Sequence, residues 1–291
     1  MHAKGACMPD LQLPPITTDL EQAKRDLHEY GLALLGDALN PDQLGAARAR
    51  LIEQAQAEAE TGNAYRDGAR DPRRAPAGPN QRVWNLINKG EIFREIAVAP
   101  HILQLARHLL GDDILLSSMT ANIANQGGAR QAVHTDQNYI PLETPYPMVC
   151  DVAWMLVDFT EDNGATLVAP GSHRWRRIPK LGEAVPMIPA TGPAGTALVF
   201  DGRLWHGTGE NRTSQSRYAM FSYFCRSFVR QQENFALSLA PEAIAACSPE
   251  LLALLGFQVW HTLGMVEGTF HGTINRRPTR FSTECKPGDR A

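Results

Sequence analysis

Cysteine is sparse. The five present, Cys7, Cys150, Cys225, Cys247 and Cys285, are odd in number, scattered and form no CxxC pair. That excludes a disulfide framework and a thiolate zinc site, and it fits a reducing compartment. Neither sign of charge is in excess, with 28 Lys and Arg against 31 Asp and Glu and a formal net charge of -3. A nucleic acid or an anionic membrane would need a concentration of basic residues, so neither is expected as the main partner. Long hydrophobic runs are also missing. No stretch approaches the roughly 18 apolar residues of a membrane span, and Met1 to Pro15 has no apolar core behind a basic flank. The tail Gly288-Asp289-Arg290-Ala291 is neither a peroxisomal tripeptide nor a lipidation box. The expectation is a cytoplasmic protein without integral membrane association. Familiar cofactor and catalytic signals are lacking too: there is no P-loop, no HExxH and no GxSxG, and Gly207-Thr208-Gly209-Glu210-Asn211-Arg212 fails the dinucleotide pattern at its last position.

What is present is a composition able to bury a large core, 43% hydrophobic and 20% charged. A single domain over residues 1–291 is expected, since mainly β domains run past ~200 residues as one unit. Its first part, to about residue 110, reads as helical. Thr18 or Asp19 can cap a helix ending near Tyr30, and Pro41 follows Asn40 at a first-turn position with Leu44, Ala47, Leu51, Ile52 and Ala55 at helical spacing. Thr61 to Gln81 is rich in Gly, Pro, Arg and Asp and reads as a long loop, either a solvated surface or a lid. Helical spacing returns over Glu91–Val98 and Ile102–Leu110. From about 111 to 230 the period shortens, with strands expected at Ile114–Ile123, Val149–Phe159, Thr166–Val168, Thr196–Phe200 and Tyr218–Phe228, separated by Gly, Pro and Asn turns. This pattern is mainly β with flanking α-helices, a sandwich, barrel or jelly roll. Residues 231–291 add an alanine- and leucine-rich helical segment from Phe235 to about Leu255, then a polar, basic tail.

The chemistry centres on Gln131-Ala132-Val133-His134-Thr135-Asp136-Gln137. In an extended chain residues i and i+2 share a face, so His134 and Asp136 can converge on one ion. His206, downstream after the apolar run ending at Phe200, completes two imidazoles and one carboxylate. Such a facial set suits Fe(II) and leaves positions for a cosubstrate and dioxygen. Arg217, on the following strand, can grip a distant carboxylate with its forked guanidinium.

Together, Gln131-x-x-His134-x-Asp136, the run Asp162-Asn163-Gly164-Ala165-Thr166-Leu167-Val168-Ala169-Pro170-Gly171-Ser172-His173, and Trp205-His206-Gly207-x-Gly209-x-Asn211-Arg212 with Arg217 resemble the phytanoyl-CoA dioxygenase family of Fe(II)/2-oxoglutarate oxygenases. The likeness spans roughly residues 80 to 230 and is to the natural-product branch. It implies a double-stranded β-helix, the cupin-like jelly roll, with iron held by His134, Asp136 and His206. It also implies 2-oxoglutarate anchored by Arg217, with further contacts from Gln131 and Thr166, and dioxygen as co-reactant. His173 in the Pro-Gly-Ser-His turn would be architectural. Retention of Asp136, where related halogenases carry a small residue, favours hydroxylation, although desaturation, epoxidation, ring expansion and endoperoxide formation use the same triad.

For the substrate, the expectation is a small hydrophobic metabolite in a mainly apolar pocket that Trp84, Asn85, Met119, Asn122, Tyr139 and Trp154 can line. An acyl-CoA is the alternative, with Arg66, Arg70, Arg73 and Arg74 as candidate phosphate contacts or as a solvated run. A homodimer stays open. Two other classes compete: a metal-binding jelly roll without oxygenase activity, such as a cupin-like isomerase or metabolite-binding protein, and an interaction domain in which His134, Asp136 and His206 lie far apart.

Overall fold

The computed structural model describes residues 11–70, 78–140, 144–180 and 182–276. Helices come first and last. α1 (Leu20–Tyr30) starts at Asp19, whose side chain accepts from the Glu21 N–H, and stops at Gly31 with φ 78. A side chain at Gly31 would be impossible, since its Cβ would lie 2.3 Å from His173 Nδ1. α2 (Pro41–Glu60) opens on a reciprocal capping box between Asn40 and Gln43. α3 (Glu91–Ala97) and α4 (Pro100–Leu110) complete the set that precedes the main strands. The helical segment expected after Phe235 is broken by its prolines into α5 (Phe235–Ser238), α6 (Pro241–Ala246) and α7 (Pro249–Leu252), followed by a wide turn at Ala253–Phe257.

The strands are β1 (Leu32–Leu35), β2 (Tyr65–Asp67), β3 (Asn80–Val83), β4 (Ile114–Ala124), β5 (Val149–Met155), β6 (Thr166–Val168), β7 (Ile188–Pro189), β8 (Ala197–Asp201), β9 (His206–Thr208) and β10 (Arg217–Arg226). Seven form one sheet in the order β1-β8-β5-β10-β4-β3-β2, and β7-β6-β9 form a smaller one. This is the expected jelly roll with flanking helices. Three of its strands, however, lie before residue 110 in the part read as helical. Leu32–Leu35 is buried on both faces, so it lacks the alternation that marks a strand. The ends of the Thr61–Gln81 stretch pair as the β2–β3 hairpin; Arg73 and Arg74 lie outside the described residues.

Alternation along the large sheet sorts side chains into two layers. Ala33, Leu35, Cys150, Val152, Trp154, Ala197, Val199, Met220 and Phe224 pack with helical residues such as Leu27, Leu51, Phe93 and Leu105. Their neighbours Leu32, Leu34, Ala153, Met155, Leu198, Phe200 and Ala219 pack instead with Ala165 and Val168 of the small-sheet side. β4 departs from strict alternation. Ser118 faces Tyr223 but Leu116 faces Phe224, so Ser117 is an extra, bulged residue. Ile114 and Leu116 before it share the helical layer with Met119, Ala121 and Ile123 after it. The bulge thus turns Ser118, Thr120 and Asn122 towards the interior between the sheets.

No helix among the described residues is long and apolar enough to cross a membrane. The turn from β9 to β10 depends on Asn211, 0% exposed, whose Nδ2 donates to Ala124 O at 2.7 Å and Gln215 O at 2.8 Å while its Oδ1 accepts from the Thr213 N–H and hydroxyl. Asn211→Ala removes these bonds, including the one to the buried Ala124 carbonyl, and is expected to cost about 3 kcal/mol of unfolding free energy, measured by urea denaturation.

Candidate active site

Residues 131–134 run beside β9. The Gln131 N–H donates to Thr208 O, and His134 and His206 exchange both backbone hydrogen bonds at 3.0 Å. His134 therefore sits on an isolated bridge rather than within a regular strand. Gly207 allows this close approach, because a Cβ there would stand 3.1 Å from Gln131 O. The bridge brings the two imidazoles to a centroid separation of 4.3 Å. Each ring is oriented from behind, with His134 Nδ1 3.0 Å from Ala132 O and His206 Nδ1 3.0 Å from Leu204 O. With Nδ1 as donor, each Nε2 presents its lone pair inward. Asp136 closes the group, its oxygens 3.5 Å from His134 Nε2 and 3.2 Å from His206 Nε2. One ligand atom from each residue lies within 4.8 Å of the other two, a grouping able to hold a metal ion.

The electrostatics suit a cation. Burial, then the neighbouring His206, pushes His134 down to about 4, so it stays neutral at ordinary pH. Burial works against ionisation of Asp136, yet the charge and hydrogen bond of His206 hold its carboxyl below the usual value. At His206 burial is likewise outweighed by Asp136, and its pKa is raised. Two residues that sequence reasoning missed support Asp136. Tyr223 donates its hydroxyl to the Asp136 main-chain carbonyl at 2.5 Å. Asp151, 1% exposed, lies beside Asp136, and its carboxyl is pushed well up, by burial first and then by the Asp136 charge. Neither has a local sequence signal; only the pairing of Asp151 with Tyr223 across β5 and β10 brings them together.

The triad opens on a cavity of about 210 Å³. Gln131 and Thr166 line it as expected, and so does Asn122. Asn122 Nδ2 donates to Thr208 Oγ1 at 3.1 Å, and that hydroxyl donates to Gln131 Oε1 at 3.0 Å. Thr166 lies directly opposite Thr208 in the small sheet. Beside them is Arg217, 0% exposed. Its Nη1 reaches Asn122 O at 3.5 Å, its guanidinium lies 4.8 Å from the Phe159 ring centre, and its Nε and Nη2 have no partner. Burial first, then the charge of Arg82, pushes its pKa down to about 9, which still leaves it protonated. A buried cation with two free donors fits a carboxylate.

The other expected substrate contacts divide. Trp84 stands on the cavity rim, 45% exposed. Asn85 points elsewhere, its N–H to Glu233 and its amide to Ser238. Tyr139 does not line the cavity and lies against Tyr223. Met119 and Trp154 are fully buried in the helical layer, Trp154 Nε1 donating to Ser222 Oγ at 3.0 Å; strand alternation turns both away from the cavity. Ser118, Thr120, Asp151, Tyr223 and Gln232 add hydrogen-bonding groups to a mixed wall that also presents Trp84 and Phe221. His173, held near His28 O at 3.3 Å, is outside the ligand group and architectural as expected.

Comparison with known proteins agrees with this geometry. A profile of the phytanoyl-CoA dioxygenase family matches residues 27–219. The chain is 32% identical over 273 residues to the dioxygenase af480 of Aspergillus fumigatus, covering 92% of this chain and 86% of that one. In fold it is similar to the epimerase SnoN from nogalamycin biosynthesis, solved with Fe3+, alpha ketoglutarate and nogalamycin RO, with a TM-score of 0.56 and 18% identity over 76% of this chain and 90% of that one. It is also similar to HygX from Streptomyces hygroscopicus, solved with nickel, 2-oxoglutarate and hygromycin B, with a TM-score of 0.57 and 14% identity over 72% and 88% of the two chains.

A buried charge without a counterion opposes folding. Arg217→Met is therefore expected to raise the unfolding free energy of the ligand-free protein by about 1–3 kcal/mol, read by denaturant titration. A dicarboxylate that raises the melting temperature of the wild type is expected to lose that effect in the variant.

Proposed function

The chain belongs to the phytanoyl-CoA dioxygenase family, and on that premise we propose that it is an Fe(II)- and 2-oxoglutarate-dependent oxygenase that hydroxylates an unactivated C–H bond of a small metabolite. Succinate and carbon dioxide are the co-products. The observation that carries this reading is the joining of two inward-facing imidazole nitrogens and a carboxylate at one cavity with an unpaired buried guanidinium held against Asn122, a residue of the same cavity wall. A metal-binding jelly roll without a keto-acid cosubstrate has no use for such an arginine.

His134, Asp136 and His206 would hold Fe(II), and Arg217 the far carboxylate of 2-oxoglutarate. Bound iron supplies activation of dioxygen and oxidative decarboxylation of the keto acid. The protein supplies position. Nδ1 of each histidine is committed to a backbone carbonyl, so the rings cannot turn their lone pairs away. Asp151 and Tyr223 brace Asp136 from behind. The hydrogen-bonded row Asn122, Thr208 and Gln131 forms a fixed polar edge beside Arg217, along which the extended keto acid can lie. The mixed wall, with Trp84 and Phe221 beside Ser118, Thr120 and Gln232, supports a mainly apolar substrate that carries some oxygen functions. A carboxylate at position 136, rather than a small residue, supports oxygen insertion.

The test is 2-oxoglutarate-dependent succinate release by iron-loaded protein on metabolite extracts, paired with mass spectrometry for a product that gains one oxygen atom. His134→Ala and Asp136→Ala are each expected to abolish substrate-coupled succinate; full turnover in either removes that residue from the ligand set. Arg217→Ala is expected to raise the apparent KM for 2-oxoglutarate at least ~10-fold, as for loss of a charge-assisted hydrogen bond. An unchanged KM removes the carboxylate anchor.

A further inference from the structure

We infer that Glu233 is the positioning residue for the substrate end of the cavity, clamping the three chain segments that carry Trp84, Ser118 and Gln232. This inference rests on the oxygenase reading above and deepens it. The cavity extends along β4. Asn122 marks the end beside Arg217, and Ser118, four residues back, lies roughly 13 Å away at strand rise. Cosubstrate at the Arg217 end leaves the Ser118 end for the molecule to be oxidised. There Ser118 faces Tyr223 across the sheet, and Trp84 and Gln232 form the outer wall.

That end has no regular strand on its outer side. β3 pairs with β4 only at Ala121–Ile123. Beyond it the edge of β4 is covered by residues 231–233, which follow β10. Gln231 Nε2 donates to Leu116 O at 2.7 Å, the Gln232 N–H to Ser117 Oγ at 2.9 Å and the Glu233 N–H to Ser117 O at 2.9 Å. The Glu233 carboxylate then accepts from two backbone N–H groups, Asn85 at 2.7 Å and Met119 at 3.2 Å. Each donor immediately follows a wall residue, Trp84 or Ser118, and Glu233 itself follows the third, Gln232, whose Oε1 accepts from the Ser118 hydroxyl at 2.9 Å. Peptide planarity passes the constraint from each held N–H directly to the Cα before it. One carboxylate thereby sets the spacing of three wall residues that are distant in sequence.

Asn85 has φ 50, a left-handed conformation that Asn adopts more readily than most residues. It is held between the Glu233 bond on one side and the Asn85 and Asn88 amide contacts to Ser238 on the other. Trp84 is held out against Tyr65, with ring centres 5.7 Å apart. Burial pushes the Glu233 carboxyl up to about 7, against the two N–H donors and the charge of Lys89, whose ammonium is bound to Glu58 at 2.6 Å. Loss of the charge as pH falls turns one accepting oxygen into a hydroxyl, so the two N–H groups then compete for fewer lone pairs.

Glu233→Gln keeps the size and exchanges one acceptor for a donor. The experiment reads hydrogen exchange by mass spectrometry at peptides containing Asn85 and Met119, with 2-oxoglutarate affinity of the metal-loaded protein and extract-driven succinate release as companions. In the Gln variant both peptides are expected to exchange at least tenfold faster, while the dissociation constant for 2-oxoglutarate stays within twofold. The extract concentration giving half-maximal succinate release is expected to rise at least tenfold, with the maximal rate changed less than threefold. Unchanged protection in the variant, or equal loss at the Thr166 and Arg217 peptides with loss of 2-oxoglutarate affinity, overturns the clamp. Should Glu233→Gln fail to fold, Glu233→Asp, whose shorter side chain cannot reach both N–H groups, is read in the same exchange experiment with the same outcomes. Absence of 2-oxoglutarate binding in the wild type, with the exchange pattern as expected, sinks the oxygenase reading and leaves the clamp standing.

Discussion

The reciprocal backbone pair between His134 and His206 is the constraint on which the site depends. Side chains alone cannot hold two imidazoles at hydrogen-bonding range of one carboxylate, because three polar groups brought together out of water favour separation or protonation. Here the main chain does the holding. The two N–H···O bonds fix the separation of the residues, a glycine admits the approach, and carbonyls at Ala132 and Leu204 decide which nitrogen of each ring faces inward. Asp136 needs only to complete a frame that the backbone has already set.

Around that frame the protein tolerates polar groups a folding argument would remove. Arg217 is fully buried with free donors, and Asp151 is a buried carboxyl with one oxygen unpaired. Each lowers the stability of the ligand-free chain. The core on the helical side, rich in Leu, Ile, Ala and Phe, offsets them: one face of the large sheet is spent on packing, while the other shares its surface between a smaller core and the chemistry.

Much of this was legible in the chain before folding. Asp19 and Asn40 mark helix starts through short-range bonds, and they sit where expected. The HxD pair with a distant histidine and arginine could be read because residue type and order carry the chemistry. β1 escaped notice because a strand buried on both faces has no period to read. Met119 and Asn122 were placed on one wall although they differ by an odd number of positions, and a strand cannot show both to the same side. Asp151, Tyr223 and Glu233 carry no local signature at all; their roles arise from register and from a segment that arrives after the last strand.

The extra residue at Ser117 has a wider consequence. It splices two lengths of β4 out of phase, so that the half before it and the half after it answer to different requirements. Side chains at 118 and 120 can be rewritten for another substrate while Leu116, Met119 and Ala121 go on filling the same core. Deleting the one residue would exchange the two sets, turning serine, threonine and asparagine into the helical layer. Selectivity and foldability are thus carried on a single strand as separately adjustable traits, joined at one residue.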